Sequence, residues 1–473
     1  MYGDVNVSVE DGNLGKSGSV GIGTQFKIGV SSVTSDVPIL ITGTMTVKKI
    51  IEKLSHCPLA DACIDSVEWG ANEIYCIPVK ADVDGDISEI THTGASTGTV
   101  SVDGKPSNEF SILIEVLESG NTNVGTVKYS IDGGYSYTEE LTIPTNGKLL
   151  LSDTGLTVTF TNTGEEEISF IKGDVYSLST TSPVMNNSSI ISAVEKLINI
   201  NTEFEYVHVV GTTNKAVWAA LASLANDFLT KYKKPLFFVC EARTKTSEET
   251  LDQYMNAMYQ ERKGISNFYI QVVLSNATYQ RKDGRVQDIN MAGLITGLYC
   301  QAKESQSIGE VKSFPISSAK LIKLLPDGIE DYIKQFDAMK YTTIRQYIGK
   351  EDYYVTSANM MSPETSDFNY AEDVRVLNRL VKAVRSAAIN ELQTEIDPED
   401  IENSVVVIQE ELNTPVEDAK EDKVIASGSV SIDIENLNIL VDESLDISIT
   451  YVPMGHARNM NIKFAVENPY TTA

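Results

Sequence analysis

No apolar run in the 473 residues approaches the roughly eighteen that a membrane span requires. Met1 is followed directly by polar residues, so neither a membrane anchor nor a secretion leader is expected, and direct membrane insertion is excluded. Cations are scarce: 38 Lys and Arg stand against 66 Asp and Glu, for a net charge of -28. Nucleic acid and anionic lipid both need a cationic footprint, so neither is expected as a main partner. The excess is uneven, with about -11 in residues 83–181 and about -9 in residues 395–423. Cysteine is sparse and odd in number. Cys57, Cys63, Cys76, Cys240 and Cys300 mostly sit in apolar runs, which fits reduced, buried thiols of a cytoplasm-like compartment better than a disulfide framework. Histidine is scarcer still, and His56, His92, His208 and His456 fall on unrelated segments without metal-ligand spacing. His56 and Cys57 with Cys63 could supply ligands, but a surface His beside a core Cys is the more ordinary arrangement.

The motifs of catalysis are missing too. Gly15-Lys16-Ser17 invites a phosphate-loop reading, yet that loop needs a glycine five residues earlier, where Glu10 stands. The run 206–210 leads into Gly211-Thr212-Thr213 without a GxGxxG, and Glu241 alone occupies a ribose-binding position after the next strand. There is no Gly-x-Ser-x-Gly elbow. No catalytic, cofactor-binding or metal-binding residue is therefore expected, and no cofactor.

What the sequence does have is alternation at both ends. Val5, Val7 and Val9 share one face of a short strand, followed by a linker over residues 11–18 that contains Gly12, Gly15 and Gly18 and spans about 25 Å if extended. Residues 424–473 hold three period-two runs: Val430, Ile432 and Ile434; then Leu445, Ile447 and Ile449; then Met460, Ile462, Phe464 and Val466. The first two read as an antiparallel hairpin. Pro453 and Gly455 hinge the third, which can fold back on its own sheet or complete a neighbour's by strand addition. The second outcome is the expectation.

Between the arms the pattern is α/β, then all-β, then α/β again. Residues 19–82 and 182–329 alternate strands and helices in the manner of a doubly wound core. Residues 83–181 contain only short period-two runs separated by turn signals, an inserted sandwich or barrel whose two ends lie close together. Residues 330–452 read as an α+β unit with a long helix over 370–393, a strand over 404–409 and a charged loop over 410–423, and residues 453–473 as the terminal arm. In the long helix Val374, Leu377, Val381 and Val384 mark one face and Arg375, Arg379 and Lys382 the other, either a solvated face or a docking surface for an acidic partner.

Two hinged arms, an α/β core with a β-insertion and a C-terminal hairpin together resemble the sheath protein of contractile phage tails and related injection machines. The segments that carry the resemblance are Val20-Gly21-Ile22-Gly23 with Val37-Pro38-Ile39, the Ala/Gly-rich run 290–299, and the aromatic turn Asp367-Phe368-Asn369-Tyr370 leading to Val374-Arg375-Val376-Leu377-Asn378-Arg379-Leu380. Where many sheaths have Trp-Gly-Ala-Arg-Thr before that turn, residues 355–361 read Val-Thr-Ser-Ala-Asn-Met-Met, as in a divergent branch. The resemblance implies a structural subunit, not an enzyme. It implies hexameric rings stacked around a tail tube, knitted by exchanged strands, that contract to drive the tube through the host envelope. It also implies baseplate and tail terminator proteins as further partners, a place in the virion tail after assembly in the host cytoplasm, and a low-radius position in which Arg375, Arg379 and Lys382 face the tube. A soluble α/β enzyme or ligand-binding protein, whose end strands complete its own sheets, is the competing reading.

Overall fold

The computed structural model describes residues 23–164, 167–434 and 437–466, and the chain divides into two compact units, residues 1–382 and 383–473. The N-terminal strand with Val5, Val7 and Val9, and the hinge glycines Gly12, Gly15 and Gly18, lie outside the described residues.

The first unit begins with β1 (Gln25–Val30), buried at all its positions as befits a parallel strand covered on both faces. There follow β2 (Ile39–Thr42), α1 (Val47–Leu54, capped by Thr46), α2 (Pro58–Glu68) and β3 (Glu73–Val79). The core resumes with α3 (Asn187–Glu195) and β12 (Tyr206–Thr212), then α4 (Lys215–Thr230), β13 (Phe237–Glu241), α5 (Leu251–Arg262) and β14 (Ile270–Val273); β4 to β11 belong to the intervening insertion. Among the described residues these strands make one six-stranded sheet ordered β14-β13-β12-β1-β3-β2, parallel except for β2 against β3. The chain moves outward from β1 to β3, then returns to β1's other side for β12, which places a topological switch point between β1 and β12. α2 packs on one face of the sheet and α3 and α4 on the other, so the core is doubly wound.

The insertion contains β4 (Thr91–Thr93), β5 (Thr99–Gly104), β6 (Ser111–Glu118), β7 (Thr126–Ser130), β8 (Leu141–Thr142), β9 (Lys148–Leu151), β10 (Leu156–Thr161) and β11 (Val175–Ser179). They form antiparallel sheets ordered β4-β11-β6-β7-β8 and β5-β10-β9. Alternation is clean on β6, where Ile112, Ile114 and Val116 point inward to meet Val158 and Phe160 of β10 in a core separate from that of the α/β sheet. The stem is closed by a bridge between Val83 and Val184, with the Asp82 amide donating to the Val184 carbonyl at 3.0 Å.

Sequence pattern does not reveal a fourth sheet, made of β15 (Asn276–Gln280), β16 (Val286–Asn290) and β17 (Leu321–Leu325) in the order β16-β15-β17. Its strands are short, and β15 is buried on both faces, so no alternation marks it. α6 (Ala292–Gln301) follows and lies against α2. Its glycines permit the approach: a Cβ on Gly297 would stand 2.6 Å from that of Trp69. The α+β unit expected from residue 330 does not separate there. α7 (Ile333–Ala338) and the pair β18 (Ile344–Gln346) and β19 (Tyr353–Val355) share the main core, since Thr342 bridges Val273, the last residue of β14, and the Met361 amide donates to the Ile270 carbonyl at 2.7 Å. α8 (Ala371–Asn390) then carries the chain to the division at 382/383.

In the second unit the expected strand over 404–409 and loop over 410–423 are one helix, α9 (Ile401–Glu421). The run Val405-Val406-Val407-Ile408 reads locally as a strand, but Val405, Ile408, Leu412, Val416 and Ala419 recur at three- and four-residue spacing and are all buried. Tertiary burial overrides the β-branched propensity. β20 (Ile425–Asp433) and β21 (Asp446–Pro453) form the expected hairpin, enclosing the short α10 (Ile439–Asp442), with Val430 opposite Ile449 and Ile432 opposite Ile447. α9 packs on β20 so closely that a Cβ on Gly428 would meet Val416 Cγ1 at 2.6 Å.

Candidate assembly surface

The hairpin is a sheet of two strands, so both of its edges carry unpaired backbone groups among the described residues. Val430 is buried, Ile432 and Ile434 are half-buried, and across the strands Leu445 is half-buried while Ile447 and Ile449 are exposed. Pro453 is the last residue of β21, opposite Ile425, and Gly455 has open space where a Cβ would be. Beyond it the chain leaves the sheet. Residues 460–466 form no strand, and Met460, Ile462, Phe464 and Val466 are exposed at 77, 74, 95 and 101%. Four large apolar side chains on alternate residues, none of them covered, stand beside a sheet with open edges.

The three cations of α8 are not an exposed stripe. Arg375 is 1% exposed; its guanidinium makes a two-pronged pair with Glu205, with Nη2 to Oε2 at 3.2 Å, and donates to the carbonyls of Tyr299, Ala302 and Lys303 at 3.0, 3.4 and 3.3 Å. Those carbonyls are the unsatisfied end of α6, where a cation also complements the helix dipole. Arg379 reaches Glu304 at 3.4 Å, and Lys382 donates to the Phe204 carbonyl at 2.5 Å. The helical wheel placed these residues opposite Val374 and Leu377 but could not show that the main core covers that side as well. Arg375 therefore faces the interior of its own unit and not a tube surface. The exposed charge of the C-terminal unit is acidic instead, with Glu402, Glu410, Glu411 and Asp418 outward on α9.

Several further titratable groups of the first unit are buried and hold its interior together. Asp61 on α2 accepts from Arg281 at 3.2 Å, Arg285 at 3.0 Å and Asn108 of the insertion at 2.7 Å, while Arg281 also grips Asp65 at 2.7 Å. These cations hold the Asp61 carboxyl well below the usual range, in opposition to its burial. His56 is buried rather than at the surface; desolvation lowers its pKa, and Arg285 donates to its Nε2 at 2.5 Å. Cys57 donates to the Leu54 carbonyl and Cys63 lies 3.3 Å from Cys76, so the three residues share no ligand geometry. Among the described residues no group of His, Cys, Asp and Glu is placed to hold a metal ion.

The model of the DUF2586 N-terminal domain matches residues 2–359 and that of the DUF2586 C-terminal domain matches residues 367–471. The chain belongs to the DUF2586 family. This DUF2586 protein matches no curated protein sequence. Its fold is that of contractile sheath proteins. A chain of the anti-feeding prophage helical sheath in its contracted state superposes with a TM-score of 0.53 at 8% identity, covering 99% of each chain. A chain of the anti-feeding prophage baseplate superposes with 0.52 at 9% identity over 99% of this chain and 100% of that one. A sheath tail protein of Listeria innocua aligns at 16% identity with a TM-score of 0.48, over 93% of this chain and 97% of that one.

Proposed function

We propose that this DUF2586 protein is the structural subunit of a contractile sheath, a non-enzymatic element that polymerises as stacked hexameric rings around a tail tube. The observation that carries the reading is the open-edged hairpin beside the uncovered run Met460 to Val466. A hairpin with free edges accepts a strand, and an alternating apolar strand without a sheet of its own supplies one. Donation of this kind between identical subunits is heterologous, so it propagates into rings and helices rather than closing on a dimer. In this reading Val5, Val7 and Val9, beyond the glycines at 12, 15 and 18, form a second donated strand. The sheath sits in a virion tail assembled in the host cytoplasm, associates with a baseplate and a terminator, and shortens to drive the tube through the host envelope. Because the exposed charge on α9 is acidic, a tube surface that meets the C-terminal unit supplies cations.

The competing reading, a soluble enzyme or binding protein that completes its own sheets, loses support from residues 460–466, which pair with no sheet among the described residues. Electron microscopy of the purified chain separates the two. Tubes or stacked rings are expected; discrete monomeric particles at high protein concentration would overturn the sheath reading.

A further inference from the structure

The first unit encloses a cleft of about 960 Å³ that strand exchange does not use. It lies outside the carboxyl ends of the parallel strands at the switch point: Val30 ends β1, Gly211 and Thr212 end β12, and Glu241 ends β13. Ligands of open α/β sheets bind at this location. The insertion forms the facing wall with Asn108, Glu109 and Tyr135, and the β16-β15-β17 sheet closes the side with Asn276, Gln287 and Asp288.

Most of the charge in this cleft is already engaged. Asp61 and Asp65 hold Arg281, and Asp132 accepts from the Ser130 and Ser136 hydroxyls at 2.7 and 2.6 Å within its own turn. Asp288 accepts from Thr278 at 2.6 Å. The cations are occupied as well: Lys245 donates to the Thr246 and Glu249 carbonyls at 2.9 and 2.6 Å, and Lys323 pairs with Asp327 at 3.1 Å. Among the described residues the lining cations Arg281, Lys245 and Lys323 are thus all engaged, and a phosphate or other polyanion meets a majority of acids. What remains are the carboxylates of Glu109 and Glu241 and two aromatic rings, of which Phe110 is buried and Tyr135 is 63% exposed on the cleft wall.

Glu241 is held for such a role from behind. His208 Nε2 lies 2.9 Å from its Oε1, and His208 Nδ1 accepts from Lys27 at 2.7 Å, with Lys27 also donating to Thr296 at 3.0 Å. Lys27 and His208 are fully buried in adjacent strands, in register with one another. Their chain of hydrogen bonds uses one carboxylate oxygen of Glu241 and fixes the orientation of the other.

We propose that this cleft is a binding site for a short neutral saccharide, with the Tyr135 ring as the stacking platform and Glu109 and Glu241 as acceptors for sugar hydroxyls. A pyranose offers an apolar face for an aromatic ring and a rim of hydroxyl donors, which matches an exposed tyrosine among carboxylates and amides. The inference is independent of the sheath reading: it requires only the first unit, and its failure leaves strand exchange untouched.

The test is saturation-transfer NMR on the full chain with maltotriose, cellobiose and N,N′-diacetylchitobiose as separate probes at about 10 mM, a concentration that detects affinities in the millimolar range. Transfer to at least one sugar is expected. Tyr135→Ala should weaken it about tenfold or more, while Tyr135→Phe, which keeps the ring, retains it. Glu241→Gln should weaken it by a smaller factor. Because Tyr135 is exposed, its substitution leaves the unfolding midpoint unchanged, and loss of binding is then not loss of fold. Absence of transfer to all three sugars, equal transfer to the parent and Tyr135→Ala, or binding of putrescine in place of any sugar would each overturn the assignment.

Discussion

Arg375 and Glu205 form a buried ion pair in which both prongs of the guanidinium meet both carboxylate oxygens, at 1 and 6% exposure. The same guanidinium closes the carboxyl end of α6, so one side chain joins β12's approach, α6 and α8.

Removing that side chain leaves a buried carboxylate alone and three carbonyls unsatisfied. Arg375→Met is expected to lower stability by about 3–5 kcal/mol, and Arg375→Lys by less, since it keeps the charge but not the fork. Urea unfolding of the first unit's signal checks the order of the two. Reversal to Glu at 375, 379 and 382 together is expected to prevent folding rather than spare it, and soluble, cooperatively unfolding triple variant would show that the pair is dispensable.

Gly428 faces Val416 with no room for a methyl group. Gly428→Ala forces β20 away from α9 and is expected to cost about 1–3 kcal/mol in the C-terminal unit. A compensating Val416→Ala change should recover part of the loss in a double-mutant cycle; additive losses would mean that the two residues do not oppose each other.

Burial pushes the Glu241 carboxyl up to about 7, while burial and then Lys27 keep His208 well below its ordinary value and therefore neutral. A raised carboxyl binds a proton in the folded chain that the unfolded chain releases. The stability it contributes is present below the unfolded value near 4.5 and lost as pH rises through about 7. Glu241→Gln removes that dependence, so relative to the parent the variant should gain up to roughly 3 kcal/mol between about pH 5 and 8. Chemical denaturation at the two ends of this range provides the measurement, and a constant gap between the proteins would contradict the shifted carboxyl.

Phe464 and Ile462 are 95 and 74% exposed in the subunit. Ile462→Asp with Phe464→Asp is expected to change subunit stability by less than about 0.5 kcal/mol while abolishing tubes in negative-stain images. Tubes of normal length from this variant would show that the segment is not a donated strand.

Much of this architecture was legible from periodicity. The alternation on β6 follows local rules, and the inserted all-β unit is legible because such period-two runs are separated by turn signals. The hairpin register, Val430 against Ile449, follows from two alternating runs of equal length. What failed did so for lack of tertiary information. Val405 to Ile408 looks like a strand until Leu412 and Val416 are counted with it. Arg375 looks solvated until Glu205, 170 residues away, is brought to it. The cleft is invisible in the sequence for the same reason: Glu241 stands there as a lone acid, and Tyr135, Glu109 and His208 come from segments that no spacing rule connects.

The bridge between Val83 and Val184 also has a mechanical meaning. It joins the main path of the chain across the base of the insertion, so a pull transmitted along the α/β core passes through that short bridge and bypasses the hundred or so residues of the sandwich. The insertion hangs as a side branch outside the line of tension. Its length and surface can change without altering the load path of the core, which makes it the part of the subunit best suited to carry a second task.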